Sequence, residues 1–430
     1  MDPKINKPNN INNDFEIITN TSFTTNEFIS SLNEPIYNTQ NSFQHNDLPK
    51  TFSFSLTSPL KSFANALYYN YLPSTTSTKI NPYVLSSFKP TLPLYLFNTK
   101  YSEEEELSNG FVSHNNIQRL HKSFLSELSK LILFTYRTNI CTPNNIFDSD
   151  CGWGCTIRAC QMLIAKGIVD NKIHQYKLSN NNTITQEHIT SLIKETLLLF
   201  YDNDIPIRYC KGNNDYKHVL SSLNNNNAIK VTPPFSITNI CAVTRIYNKF
   251  TSSQFIVEAF AEISKRCLSN SIRILSVEST DISQQYLRSR LFDGNGNTCH
   301  MGIVFINFRF NFFMKPHETC ITHIRCLFKR IRNNIGFVSG SSSRAYYFIG
   351  ACIDKDDLVY VDPHFNHKAL INNFNSDITS YMIKTLYRIG SKHITPYIQL
   401  GVLINSESDY KVLISDLEGL SKCCDYICLK

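Results

Sequence analysis

The chain has 430 residues, of which 42% are hydrophobic and 12% aromatic, and its formal net charge is +7. That is enough apolar material for one large domain or two smaller ones, so the chain is expected to be globular. No apolar run approaches the ~18 residues that span a bilayer, and Met1-Asp2-Pro3-Lys4 lacks the basic start and apolar stretch of a secretory signal, which makes the cytoplasm the expected location.

Residues 1–60 hold 25 Asn, Ser or Thr, three Lys and six acidic residues. Such a segment has too few apolar groups to offset the entropy of ordering its backbone. A mostly disordered extension is therefore drawn over 1–91, a folded domain over 92–420 and a flexible tail over 421–430. Regular structure is predicted to begin with a strand at Leu94–Phe97. A long helix follows, with Leu120, Phe124, Leu125, Leu128 and Leu131 on one face, running into Phe134-Thr135-Tyr136-Arg137. Further helices are predicted from Cys155 onward and over Ile189–Phe200, with Asn-rich surface loops at Ser179–Thr183 and Asn224–Asn227. Strands are predicted at Ile272–Val277, Gly302–Asn307, Tyr346–Gly350 and Leu358–Val361. Between the second and third of these lies His323–Arg332, whose Ile324, Leu327, Phe328 and Ile331 recur at helical spacing. It reads as an amphipathic helix with a solvated basic face rather than as a nucleic-acid or lipid contact. Helices gather early and strands late, so the fold class is α+β.

The chemistry-bearing segment is Gly152-Trp153-Gly154-Cys155, which leads into apolar positions Ile157, Ile164 and Ile168. Cys155 thus sits where a loop becomes a helix, and unpaired N–H groups and the macrodipole at such an end favour a thiolate. A buried structural cysteine would fit the local sequence equally well. Fourteen cysteines in a chain of this size are expected to stay reduced. No Cys-x2-Cys pair occurs, and Cys151, Cys155 and Cys160 have no zinc-site spacing, so neither a metal nor another cofactor is expected. Cys151 is a thiol placed to capture an oxidised Cys155, or else a space-filling residue.

A partner base is available at Asp362-Pro363-His364, which ends the strand-like run Leu358-Val359-Tyr360-Val361. Residues two apart on an extended chain face the same side, so Asp362 and His364 project together, and Pro363 suits a strand end. A turn histidine after an Asp-Pro loop start is the plainer alternative. Tyr136 could hydrogen-bond a developing oxyanion or, equally, cap a buried helix end.

These residues together resemble the autophagy-related cysteine proteases, the autophagins. The resemblance runs from about Leu92 to Leu420 and lies in separated blocks: Leu96–Ser102, Phe134–Arg137, Ser149–Cys155, Tyr347–Gly350 and Tyr360–His364, with a fainter one at Leu400–Tyr410. Gly-Trp-Gly-Cys and Asp-Pro-His, in this order and about 200 residues apart, carry most of it. It implies a papain-like core with a small accessory region, and a thiol hydrolase with Cys155 as nucleophile, His364 as base and Asp362 as its orienting partner. It also implies an oxyanion hole made by Tyr136 and the Cys155 backbone N–H. The implied substrate is a ubiquitin-like autophagy modifier, cut after a C-terminal glycine and later released from phosphatidylethanolamine. Membrane contact would then be peripheral, through the lipidated substrate, with no role for nucleic acid. A protease of the ubiquitin-fold-modifier class and a catalytically inert modifier-binding module are the alternatives.

The chain departs from the family pattern in three places. Trp153 is its only tryptophan, so the family's cleft-covering tryptophan is missing, and Phe235 in Pro233-Pro234-Phe235-Ser236-Ile237 is the expected substitute. Tyr346 stands for a histidine and Cys151 for a threonine. Two short aromatic-x-x-aliphatic segments, at Phe15 with Ile18 and at Tyr426 with Leu429, lie in expected flexible ends and are candidate modifier-binding motifs by strand addition.

Overall fold

A computed structural model describes residues 78–80, 94–102, 114–142, 145–181, 183–206, 230–268, 271–292, 301–310, 317–341, 343–353, 356–370 and 378–430. Phe15, Ile18 and the Asn224–Asn227 loop lie outside the described residues.

Strands β1 (Thr78–Ile80), β2 (Leu94–Leu96) and β3 (Thr99–Tyr101) precede helix α1 (His114–Leu128) and the short β4 (Tyr136–Thr138). Then come α2 (Cys155–Ser179), α3 (Gln186–Leu197), the small pair β5 (Ile205–Pro206) and β6 (Lys230–Val231), α4 (Ile237–Thr244) and α5 (Ser253–Cys267). The second half alternates β7 (Arg273–Glu278), α6 (Gln284–Leu291), β8 (Gly302–Arg309) and α7 (His317–Arg330), followed by β9 (Asn334–Ser341), β10 (Arg344–Cys352), β11 (Asp357–Val361) and β12 (Asn366–Lys368). β13 (Leu386–Gly390), β14 (Tyr397–Ile404) and α8 (Glu407–Ser421) complete it. The architecture is α+β, as expected.

One large sheet runs β1-β13-β11-β10-β9-β14-β8-β7, with β2 and β3 attached beside β10. Its strands divide their side chains between two cores, with the alternation shifted at an irregularity between Phe348 and Gly350 of β10. Ala345, Tyr347 and Ile349 of β10 face the first, under α1 to α5, whereas Tyr346, Phe348 and Ala351 face the second, under α6 to α8. Period-two side chains on a sheet covered on both faces produce this division, and explain why β8 and β10 read as unbroken apolar runs. Helix α2 packs on β9, β10 and β14 and is buried from Cys155 through Val169. α7 inserts Ile324, Leu327 and Phe328 into the second core, while Arg325 pairs with Asp356 and the following Arg332 with Asp416. Its basic face is thus partly neutralised within the chain.

Thr78–Ile80, within the extension expected to be mostly disordered, pairs antiparallel with β13 as the outermost strand of the sheet. Two expectations need correction. α1 stops at Leu128 instead of running into Phe134–Arg137. The N–H of Leu133 donates to the carbonyl of Tyr381 (2.8 Å) and that of Tyr136 to the carbonyl of Pro363 (3.1 Å). Phe134, Thr135 and Tyr136 have the aromatic and β-branched side chains that strands favour, and tertiary partners claim their backbone. Residues 421–430 are not a loose tail. The N–H groups of Cys428 and Lys430 donate to the carbonyls of Ser279 and Ile282 at 2.8 and 2.9 Å, and Ile427 is buried.

Lys166 of α2 sits in the first core with its ammonium on Asp170 and on Glu127 of α1, each at 2.6 Å, and 4.6 Å from the centroid of the Phe97 ring. Burial opposes its charge, but the two carboxylates outweigh that and hold the ammonium above its ordinary pKa. Lys166→Ala should therefore lower stability by about 3 kcal/mol, because it leaves Asp170 and Glu127 without their shared cation. Urea unfolding of the variant against the wild type checks this; an unchanged midpoint would show that the cluster contributes nothing.

Candidate active site

The turn before α2 is shaped for the residue it presents. Gly152 has φ +83°, a left-handed conformation that favours glycine. Gly154 caps the helix without a side-chain hydrogen bond, which leaves the first N–H groups of α2 free of such a cap beside the Cys155 thiol. From the other side, β11 ends at Val361, and Asp362-Pro363-His364 follows. The Nδ1 of His364 lies 2.5 Å from Asp362 Oδ1, and the His364 backbone N–H donates to the same oxygen at 3.0 Å. The two side chains predicted to project together therefore do so.

Parallel pairing of β4 with β12, Tyr136 opposite Asn366, brings Tyr136 to the same place. The Cys155 thiol lies within electrostatic reach of the His364 and Tyr136 side chains and of the Ala345 backbone. Burial pushes its pKa up, yet these interactions, with His364 foremost, bring it below the ordinary thiol value. Burial likewise opposes charge on His364, but Asp362 and Cys155 overcome it and raise the imidazole to about 9. The pair can therefore exist as thiolate and imidazolium across neutral pH. Tyr136 and Tyr346 hold the imidazole between them, with ring centroids 5.5 and 5.2 Å away in edge-on contacts. Tyr346 was noticed in the sequence only as a departure from a pattern; the structure makes it a wall of the site.

Cys155 is 2% and His364 4% exposed, so the reacting atoms are buried. A cavity of about 280 Å³ adjoins Asp362, lined in part by Leu133, Phe365, Asn366, Met382 and Tyr387, with Phe365 and Met382 open to solvent. Phe235 does not cover this region. It is fully buried, packed between Phe200 and Phe260 at 5.3 and 5.5 Å, because two prolines and the pairing of its N–H with the Leu199 carbonyl turn it inward. Phe250 is exposed, at 51%, and the carbonyl of its neighbour Thr251 accepts a hydrogen bond from Thr156, the residue after Cys155. Trp153 is also buried, donating to the Ser149 carbonyl and lying edge-on to Phe147. Tyr426 and Leu429 are partly buried against the second core, Tyr426 at 4.9 Å from the Phe310 ring, so this segment is already docked and not free to add to a partner.

Sequence reasoning missed the charges beneath the site. Arg158, one turn into α2, donates to Asp150 (2.7 Å) and Asp202 (2.8 Å), and all three side chains are sealed from solvent. Nothing in a lone arginine on an apolar helix reveals this. Among the described residues no group of His, Cys, Asp and Glu is arranged to hold a metal, and no helix is long and apolar enough to cross a membrane.

Residues 121–416 match the family described as the peptidase C54 catalytic domain. The chain belongs to that family. Its fold is thus a papain-like α+β cysteine protease fold, and the protein is a cysteine-type peptidase of the autophagin kind. Similar proteins include "Cysteine protease ATG4" of Kluyveromyces marxianus, 23% identical over 361 residues, covering 76% of this chain and 72% of the relative. "Cysteine protease ATG4D" of Xenopus laevis is 22% identical, covering 65% and 61%, and "Cysteine protease ATG4A" of Pongo abelii 21% identical, covering 76% and 82%.

The thiols differ enough to be told apart chemically. Burial pushes Cys151 to about 11 despite the opposing influence of the Asn366 side chain, and pushes Cys160 up further. That favours a space-filling role for Cys151. Iodoacetamide near pH 7 should therefore modify Cys155 ahead of both, provided the reagent reaches it, as peptide mass spectrometry would show. Labelling of Cys151 first would contradict the charge distribution described here.

Proposed function

We propose that this protein hydrolyses the bond after the C-terminal glycine of a ubiquitin-like autophagy modifier, processing its precursor and releasing it from phosphatidylethanolamine. In this reading Cys155 is the nucleophile, His364 the acid and base, Asp362 the residue that orients His364, and Tyr136 with the Cys155 N–H the oxyanion hole. The observation that carries it is the convergence of three elements on one thiol: His364, held by Asp362 at 2.5 Å and edge-on to Tyr136, faces Cys155 and lowers its pKa.

Cys155 thiolate attacks the glycine carbonyl carbon, forming a C–S bond, and the carbonyl electrons move to oxygen, where the Tyr136 hydroxyl and the Cys155 N–H donate. The oxyanion collapses, the C–N bond breaks, and His364 Nε2 gives its proton to the departing nitrogen. That nitrogen belongs to a peptide in the precursor and to ethanolamine in the lipidated form. Water then attacks the thioester, losing its proton to His364; the C–S bond breaks, Cys155 returns as the thiolate, and the free carboxylate leaves. A thiol as buried as Cys155 suits glycine, which brings no side chain. Access to lipidated substrate requires only peripheral contact with a membrane, from the cytoplasmic side.

The test is incubation with a modifier precursor carrying residues beyond its glycine, and separately with the modifier conjugated to phosphatidylethanolamine in vesicles. Cleavage of both supports the proposal. Cleavage of only a ubiquitin-fold-modifier precursor offered in parallel would replace it.

A further inference from the structure

Catalysis as proposed uses Cys155, Asp362, His364 and Tyr136 but gives no task to the buried charges below them. An ion pair that served only stability would need its charges matched and nothing more. Asp150 does more than that. Its Oδ1 accepts the backbone N–H of Arg137 at 2.6 Å, the residue after Tyr136, and its own N–H returns to the Arg137 carbonyl at 3.3 Å. Its carbonyl accepts the N–H groups of Trp153 (3.2 Å) and Gly154 (2.9 Å), which lead directly into Cys155. One residue is thus bonded both to the strand that carries Tyr136 and to the turn that carries Cys155.

The carboxylate has little freedom. Arg158 Nε holds Oδ2 at 2.7 Å, its second arm reaches Asp202 (2.8 Å) and Gln161 (3.1 Å), and Gln161 continues to the Phe235 carbonyl at 2.7 Å. Gly154 leaves room for this. A Cβ at that position would fall 2.3 Å from Asp150 Oδ2.

We propose that Asp150 is a positioning residue that sets the distance between the Tyr136 hydroxyl and the Cys155 sulfur, with Arg158 and Asp202 as the brace that fixes its carboxylate. This rests on the catalytic roles proposed above. An oxyanion donor displaced by about 1 Å costs about 100-fold in rate, whereas attack of the thiolate on an alkylating agent uses no oxyanion hole. Asp150→Asn keeps the shape but faces one of its two donors, Arg137 N–H or Arg158 Nε, with an amide NH2, so the link to β4 or the brace must loosen.

Asp150→Asn is therefore expected to lower kcat for precursor cleavage about 100-fold while iodoacetamide labels Cys155 near the wild-type rate. In a Tyr136→Phe background the same substitution should add little, because its effect runs through Tyr136. If cleavage and labelling fall together, or if the two substitutions multiply fully, Asp150 is a stability residue only and the proposal is overturned. Unchanged cleavage overturns it as well. Should Asp150→Asn fail to fold, Asp202→Asn loosens the brace from its far end and takes the same two measurements. Failure of the catalytic reading itself looks different, since Cys155→Ala or Tyr136→Phe alone would then cleave like the wild type.

Discussion

Replacing Cys155 by alanine will lower precursor cleavage by about 10⁴-fold or more and leave a cooperative melting curve close to that of the wild type. No neighbouring thiol can take its place. Cys160 is buried one turn further along α2, and burial pushes its pKa up, with Cys155 adding to the effect. Cys151 precedes the helix, and its thiol is pushed to about 11. The fold should tolerate the change because only a sulfur atom leaves a 2% exposed site, at a cost of about 1 kcal/mol. His364 keeps its bond to Asp362 and can become neutral, so no uncompensated charge remains. Gel analysis of the cut precursor and thermal unfolding followed by circular dichroism measure the two halves separately. Cleavage at the wild-type rate by a folded variant would remove Cys155 from the mechanism.

The parts of this architecture legible in the sequence are those specified by neighbours in the chain. Glycine on either side of Trp153 and the apolar residues after Cys155 define a turn and a helix locally. The apolar run ending at Asp362 likewise defines a strand end with two side chains on one face. The strands β8, β10 and β11 are readable because a sheet covered on both faces selects mostly β-branched and aromatic residues, and β7 because apolar Ile274 and Val277 stand out along its partly buried run. What was not legible depends on distant partners. Leu133–Tyr136 reads as a continuation of α1, but the carbonyls of Tyr381 and Pro363, more than 200 positions away, take the N–H groups of Leu133 and Tyr136. Asp150 and Asp202 meet Arg158 across 8 and 44 positions, so their burial has no local signature. The packing of Phe235 and Tyr426 has no local signature for a related reason: an aromatic residue in a polar or proline-rich stretch suggests exposure, and tertiary contacts decide otherwise.

Asp362→Asn should cost about 10⁴-fold in kcat/KM at neutral pH and also change the shape of the pH profile. Burial alone would push the His364 imidazole below its usual value, and the charge of Asp362, with its 2.5 Å hydrogen bond, is the largest opposing influence that brings it to about 9. In the wild type the imidazolium thus persists until the pH rises through about 9, and the thiolate persists until the pH falls through the lowered Cys155 value. Activity should be highest between these limits and fall on both sides. Asparagine can still accept from Nδ1–H, but it brings no charge. The imidazole then loses its proton at a lower pH, and Cys155, no longer facing a cation, holds its proton to a higher one. Across neutral pH the pair becomes thiol and imidazole, so both the nucleophile and the proton for the leaving nitrogen are lost. Alkylation of Cys155 should therefore slow together with cleavage, in contrast to Asp150→Asn, where the two separate. Profiles of iodoacetamide labelling and precursor cleavage from pH 5 to 10 would test this directly. A variant that keeps the wild-type profile, with both limbs in place, would show that the charge of Asp362 does not set the ionisation of the Cys155–His364 pair.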